Sequence, residues 1–225
     1  MSNHKYYDLG VICGRFGPTQ IGHVSLFDTS LALCKRTLIL VGSAQEYGTL
    51  RNPFPVETRI DLIKEIYPGE SEQTLTIRGI NDLKNEFNNT TSWGKYFKAQ
   101  VISHKHKFAD LMVYGDDNIR SSWFDAEDLV RTSTLIIPRT TIPISGTEVR
   151  GLLVIDDETA WQKVSHPFTH GMYERLREEI MNVPVYKEIY NSIYGGDMSL
   201  DSFMKVYKEF EIKDREDKLA QLQKL

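Results

Sequence analysis

The chain has 225 residues, 40% of them hydrophobic and 26% charged, with a formal net charge of −4 at pH 7. That length holds one large α/β domain or two small ones, and the composition is ordinary for a globular protein. The acidic balance and the lack of a long basic tract argue against general nucleic-acid binding, although a few local arginines can still hold a phosphate.

Taken in chain order, short apolar runs alternate with helix-like patterns, which favours a parallel sheet with helices on both faces. "LGVIC" reads as a buried first strand. Val24, Phe27, Leu31 and Cys34 then form an apolar stripe at helical spacing. "RTLILVG" is a second strand, and "VETRIDLIKEIY" a helix with Val56, Ile60, Ile63 and Ile66 inward. "TLTIRGI", "ADLMVYG" and "STLIIP" supply three more strands, with a helix over "SWGKYFKAQVIS" between the first two of these. After residue 150 the pattern is helical almost to the end, with "YERLREEIMN" and "VPVYKEIYNSIY" separated by the break before Pro184, and Gly195 and Gly196 ending the second. The expected division is 1–194 as the main domain, its α/β core reaching about residue 165, and 195–225 as a charged helical tail. Phe203, Val206 and Phe210 mark that tail as amphipathic, packed on the core or used between subunits.

Cys13 and Cys34 form no C-x-x-C and sit among apolar residues, so they read as reduced, buried thiols. The N-terminus shows no signal pattern, and no stretch approaches the roughly 20 apolar residues of a membrane span. The expectation is a cytoplasmic protein with no membrane or nucleic-acid partner, in which the N-x-T tripeptides of "FNNTT" are not glycosylation sites.

Two segments carry chemistry. "GRFGPTQIGHVSLF", residues 14–27, follows the first strand and fits neither G-x-x-x-x-G-K-[ST] nor G-x-G-x-x-G. In a doubly wound sheet such a turn lies beyond the carboxyl ends of the strands, where ligands bind. Gln20 and His23 are three apart and share a helix face, and the helix start offers N–H groups and the positive dipole end to a phosphate. Gly22 is read as room for a substrate between those two side chains. The second segment, "IPISGTEVR", residues 142–150, places Ser145 and Glu148 in a capping box, with Thr147 and Arg150 close by. Two helix N-termini facing one cleft can hold a triphosphate.

Together these segments resemble the HxGH nucleotidylyltransferase superfamily, with its G-R-F-x-P-x-H-x-G-H turn and later I-S-[SG]-T-x-x-R. "VGSAQEYGTLRNPFPVETR", residues 41–59, resembles the G-S-A-Q…N-P-F segment of nicotinamide-nucleotide adenylyltransferases, in the branch found in archaea and in bacterial Nudix fusions. "VYGDDNIRSSWF" and "VPVYKEIY" resemble the Nudix-fused forms as well. The similarity spans about residues 8–190, with nothing for a Nudix domain, and residues 195–225 fall outside it. Where the family has the first His of H-x-G-H, this chain has Gln20, which keeps a hydrogen-bond donor but carries no charge.

The resemblance implies a Rossmann-like α/β/α sandwich with C-terminal helices, and transfer of AMP from ATP to nicotinamide mononucleotide, giving NAD and pyrophosphate. It implies His23 and Arg150 as catalytic residues, and Arg15, Phe16, Gly17, Gln20, Gly115, Asp116, Ile144, Ser145, Gly146 and Thr147 around ATP. Arg51, Asn89 and Trp93 would meet the nicotinamide nucleotide, with Trp93 stacking on the ring, though an aromatic at a helix start is otherwise a core residue. Asn88, beside Asn89, would hydrogen-bond the carboxamide, and Asp117, beside Asp116, would lie where the ribose or adenine of ATP passes, with a surface turn as the alternative. Mg²⁺ would travel with ATP rather than occupy a protein site, and "HKHK", residues 104–107, reads as a solvated helix end. A homo-oligomer is allowed. The alternatives are a sibling transferase for nicotinate mononucleotide or another phosphorylated acceptor, and a non-catalytic nucleotide sensor.

Overall fold

Continuous burial through the middle of the first strand sets the architecture. In the computed structural model, which describes residues 4–83, 90–105, 107–115, 120–138, 142–193 and 197–222, β1 runs Tyr7–Gly14. Its Leu9 and Val11 face one apolar layer while Ile12 faces another. The same split recurs on β2 (Cys34–Val41), where Leu38 and Leu40 oppose Ile39 and Val41, and on β4 (Leu111–Gly115), where Met112 and Tyr114 oppose Leu111 and Val113. A strand apolar on both faces has to be covered on both, which a parallel sheet with helices on each side achieves.

The sheet is parallel throughout, in the order β3-β2-β1-β4-β5, with β3 at Leu75–Gly79 and β5 at Ser133–Ile137. The order reverses between β1 and β4. Pairing with β2 continues along β1 to Gly14–Val41, but pairing with β4 is made at Gly10–Leu111 and Val11–Met112, and beyond that point β1 and β4 are unpaired. The sheet therefore opens at its switch point, on the carboxyl side, where ligands of such folds bind.

Helix α1 (Ile21–Leu33) leads directly into β2. Cys34 is thus the first residue of the strand and not the end of the helix stripe; its burial comes from the sheet. Ser30 takes the buried helix position expected for Leu31, and its hydroxyl lies 2.9 Å from that of Thr37. On α2 (Val56–Ile66) the fully buried positions are Thr58, Arg59, Leu62, Ile63 and Ile66, while Val56 and Ile60 are only partly covered. This helix is gripped from two sides. Ile63 packs under the sheet, whereas Leu62 joins the core of the C-terminal helices, so its buried stripe is wider and rotated from the expected one. Helix α3 (Thr90–Lys105) covers the opposite face through Phe97 and Val101, and α4 (Ala126–Leu129) is one short turn.

The C-terminal third builds its own apolar core. It contains α5 (Gly146–Val154), α6 (Glu158–Val164), a 3-10 turn at Pro167–Met172, α7 (Tyr173–Met181), α8 (Pro184–Asn191) and α9 (Leu200–Leu222). Trp161, Tyr186, Leu176 and Phe203 are wholly buried there, joined by Leu50 and Phe54 from the loop after β2. Phe203, Val206 and Tyr207 pack the first turns of α9 into this core, while Ile212 and Leu219 farther along are exposed. Gly195 and Gly196 lie outside the described residues. Among the described residues no helix is long and apolar enough to cross a membrane.

Arg59 ties the sheet to the loops that follow it. Its side chain is almost wholly buried and points its donors at main-chain oxygens: Nη1 to Arg15 O at 3.0 Å and Gly42 O at 2.7 Å, Nη2 to Ser43 O at 3.0 Å, and Nε to Pro55 O at 3.4 Å. Burial, with added repulsion from Arg15, pushes its pKa down to about 10, so it remains charged at neutral pH. A planar guanidinium suits this geometry because its N–H groups fan out in one fixed plane. Replacement by Met should cost on the order of 3–5 kcal/mol, since buried carbonyls left without a donor cost about 1–3 kcal/mol each. Arg59→Lys, keeping the charge but not the fan, should recover only part. Urea unfolding midpoints of the two variants test this.

Candidate active site

The loop after β1 is shaped from beneath. Phe16 adopts a left-handed backbone (φ 49°) that turns its ring into the core, edge-on to His23 and to Phe27 at 5.1 Å between centroids in each case. Only the main chain of Phe16 is therefore placed to meet a ligand. Arg15 is exposed beside it, with its carbonyl held by Arg59.

Gln20 is the N-cap of α1, and its amide is used by the protein. Its Oε1 accepts from Gly22 N, and its Nε2 donates to Ile144 O at 3.3 Å, in the second motif. His23 closes the reciprocal half of this capping box: Nδ1 accepts from Gln20 N at 3.2 Å. An imidazole accepting at Nδ1 carries its neutral-form proton on Nε2, so the cap fixes the tautomer of His23. Two expectations change here. Gly22 makes room for the Gln20 amide and not for a substrate, because a Cβ there would lie 2.8 Å from Gln20 Oε1. The N–H groups of Gly22 and His23 are also taken by Gln20, through its side chain and its carbonyl respectively, so the first turn of α1 offers fewer donors than its position suggested.

The start of α5 is different. The expected capping box is present, with Glu148 N donating to Ser145 Oγ at 3.1 Å and Ser145 N to Glu148 Oε2 at 2.7 Å. The Gly146 and Thr147 N–H groups have no acceptor among the described residues, at the positive end of the helix dipole. Arg150, one turn in, is 8% exposed; its Nη1 donates to Gly17 O at 3.0 Å, and its Nη2 to Thr147 Oγ1 at 3.0 Å and Tyr207 Oη at 3.3 Å. Burial works against the charge, but the Tyr186 and Tyr207 hydroxyls outweigh it and hold its pKa above the usual value. The Thr147 hydroxyl thus braces Arg150.

Positive charge accumulates between the two segments. Arg15 has its pKa lowered first by desolvation in the cleft and then by repulsion from Arg51 and Arg150, although part of its side chain reaches solvent. Repulsion of Arg15 by two other arginines at the carboxyl edge of a sheet is relieved by one polyanion. Arg51 is exposed in the loop whose preceding residue, Leu50, is buried; its carbonyl accepts from Tyr186 Oη at 2.7 Å.

The opening between β1 and β4 is apolar, lined by Cys13, Phe97, Tyr114, Trp123 and Phe124 among others. Trp93 borders this layer, partly buried, tilted against Tyr96 at 5.5 Å and edge-on to Trp123 at 5.9 Å. Gly115 ends β4 opposite Ile137. Asn88, Asn89, Asp116 and Asp117 lie outside the described residues, as does His106. The helix end at His104 and Lys105 is half-buried rather than fully solvated, because the Lys105 ammonium bonds the Thr76 hydroxyl of β3. Burial first, then Arg78 and Lys105, lower the pKa of His104.

Comparison with known proteins fits this geometry. Residues 11–166 match the family model described as cytidylyltransferase-like. The chain belongs to that family. Family membership thus rests on the stretch that carries both motifs and all five strands apart from the start of β1. A nicotinamide-nucleotide adenylyltransferase of Aeropyrum pernix is 26% identical over 175 residues, 74% of this chain and 94% of that protein. One of Saccharolobus solfataricus is 40% identical over 55 residues, 24% of this chain, and the match spans about a third (32%) of that relative. Among solved structures, a bifunctional NMN adenylyltransferase/ADP ribose pyrophosphatase from Francisella tularensis, complexed with AMP and a manganese ion, shares the fold at TM-score 0.61 and 20% identity. It covers 92% of this chain, which spans 56% of that longer one.

Sequence reasoning missed Arg59 and Tyr207. Both had a signal. Arg59 lies four residues before Ile63, and Tyr207 four after Phe203, so each sits on a buried helix stripe. Removing the Gln20 cap should act on stability: Gln20→Ala should lower it by about 0.5–2 kcal/mol, with turnover falling far less than for loss of His23, whose main-chain partner is retained. Denaturant unfolding and steady-state rates of the same variant check this.

Proposed function

We propose that the protein is a nicotinamide-nucleotide adenylyltransferase, transferring AMP from ATP to nicotinamide mononucleotide with release of pyrophosphate. The observation that carries this reading is the convergence of Arg15, Arg51 and Arg150 with the N-terminus of α5 and the tautomer-fixed His23 at the open switch point. The similarity to nicotinamide-nucleotide adenylyltransferases supports the acceptor, and the family match supports the reaction class.

In this reading the nucleotide's 5′-phosphate oxygen attacks the α-phosphorus of ATP in line. A bond from that oxygen to phosphorus forms as the bond from phosphorus to the bridging oxygen breaks, and pyrophosphate leaves with the electron pair. The attacking phosphate is already anionic, so no side-chain base is needed. Catalysis is then positioning and charge stabilisation. His23 donates from Nε2 to the reacting phosphate, the α5 N–H groups and Arg150 hold the triphosphate, and Arg15 and Arg51 share the remaining charge. Mg²⁺ enters as part of the ATP substrate, liganded by phosphate oxygens and water. Trp93 stacks on the nicotinamide ring beside the apolar opening.

Purified protein with MgATP and nicotinamide mononucleotide should form NAD and pyrophosphate in equal amounts. Intact ATP binding without NAD would instead favour the sensor reading, and turnover confined to nicotinate mononucleotide the sibling transferase. His23→Ala should reduce kcat by roughly 10²–10³, the usual loss for one transition-state donor. Trp93→Ala should weaken nicotinamide mononucleotide by about 0.5–2 kcal/mol and leave ATP nearly unaffected. Equal weakening of both substrates with a lowered Tm would make Trp93 a core residue.

A further inference from the structure

We infer that Tyr207 of α9 is a positioning residue for Arg150, so that the C-terminal helix forms part of the device that grips the triphosphate. The inference rests on the adenylyltransferase reading and extends it to a helix beyond residues 11–166, the stretch that the family model matches.

The chain of hydrogen bonds has one consistent polarity. Arg150 Nη2 donates to Tyr207 Oη at 3.3 Å, and Tyr207 Oη–H donates onward to Leu50 O at 3.4 Å. A phenol has one proton and spare acceptor capacity, so it can serve both partners at once. The same Leu50 carbonyl accepts from Tyr186. Arg150, which also donates to Gly17 O in the first loop, is thereby connected through α9 to the main chain next to Arg51. A guanidinium is planar, and partners on Gly17, Thr147 and Tyr207 fix that plane from three separate elements. The Arg150 Cζ also lies 5.9 Å from the Tyr207 ring centroid.

The type of residue matters as much as its position. A carboxylate at residue 207 would orient Arg150 equally well but would neutralise the charge that a phosphate needs. A phenol orients it and leaves the charge in place. The register of α9 is set nearby: a Cβ on Gly151 would lie 2.5 Å from the Phe203 ring, so α5 and α9 can approach this closely only with glycine next to Arg150. Phe203 is wholly buried and stands one turn before Tyr207, which fixes where the hydroxyl arrives.

Tyr207→Phe removes the hydroxyl and keeps the ring. ATP affinity, by calorimetry and by KM, should fall about 3- to 10-fold, the size of one ordinary net hydrogen bond, because Gly17 and Thr147 still hold the guanidinium. The KM for nicotinamide mononucleotide, the far-ultraviolet dichroism and Tm should stay near wild type. In an Arg150→Met background the same change should have no further effect on ATP binding. An unchanged ATP affinity in Tyr207→Phe would overturn the inference. So would equal loss for both substrates with a lowered Tm, or an undiminished effect in the Arg150→Met background. Wild-type protein that binds no ATP would remove the adenylyltransferase reading and this inference with it. Wild-type protein that binds ATP and forms NAD, alongside an indistinguishable Tyr207→Phe, removes the inference alone.

Discussion

A positive charge without a carboxylate partner among the described residues, buried at the carboxyl edge of the sheet, holds the site together. Arg59 reaches from α2 to the main chain after β1 and after β2, and both loops that would meet the phosphates hang from it. Carbonyl oxygens satisfy the guanidinium N–H groups without bringing a negative charge to cancel its own, and four of them keep it buried. The result is a rigid rim that adds positive potential to the cleft. Arg59 feels Arg15 as repulsion, and an incoming polyphosphate would feel the two charges as attraction.

The rest of the cleft follows the same logic of donors held in place before any ligand arrives. The two capping boxes do different work. That of α1 is closed on itself: Gln20 satisfies its own helix and reaches across to Ile144, joining the first motif to the second, while the main chain of Gln20 orients the His23 ring. That of α5 secures Ser145 and Glu148 but leaves the intervening Gly146 and Thr147 N–H groups without an acceptor among the described residues. Substituting Gln for the usual His at residue 20 therefore replaces a charge with a brace. Net acidity of the chain is no obstacle, because the arginines are concentrated where the sheet opens, and fields in such a cleft are local.

Around this rim the C-terminal helices act as a second support. Their core begins with Leu50 and Phe54 of the loop after β2 and ends with Phe203 and Tyr207 of α9, so a single apolar cluster reaches from the loop beside Arg51 to the helix beside Arg150. Packing of this density transmits position: Gly151 admits Phe203, and Phe203 places the Tyr207 hydroxyl on Arg150. The apolar opening beside Trp93 lies on the other face of the sheet, with Phe97 and Phe124 beneath it. A charged end and an aromatic end are thus separated by the parting of β1 and β4.

How much of this was legible beforehand depends on the range over which each feature is determined. The sequence alone carried the alternating strands and helices, the parallel sheet with its switch point, the Ser145–Glu148 box and the placement of both motifs at the sheet's carboxyl edge. Each follows from contacts within about four residues or from motif spacing, where backbone geometry leaves few choices. Tertiary structure decided the partners. Gln20 caps its own helix but also bonds a carbonyl 124 residues away, Cys34 begins a strand because the sheet claims it, and α2 turns a wider face inward because two cores compete for it. Arg59 and Tyr207 stood on apolar stripes and could be read as buried, but not as to what they would touch. A long side chain's reach is set by its helix, whereas the atom at the end of that reach is set by how separate elements pack, and periodicity holds no record of that.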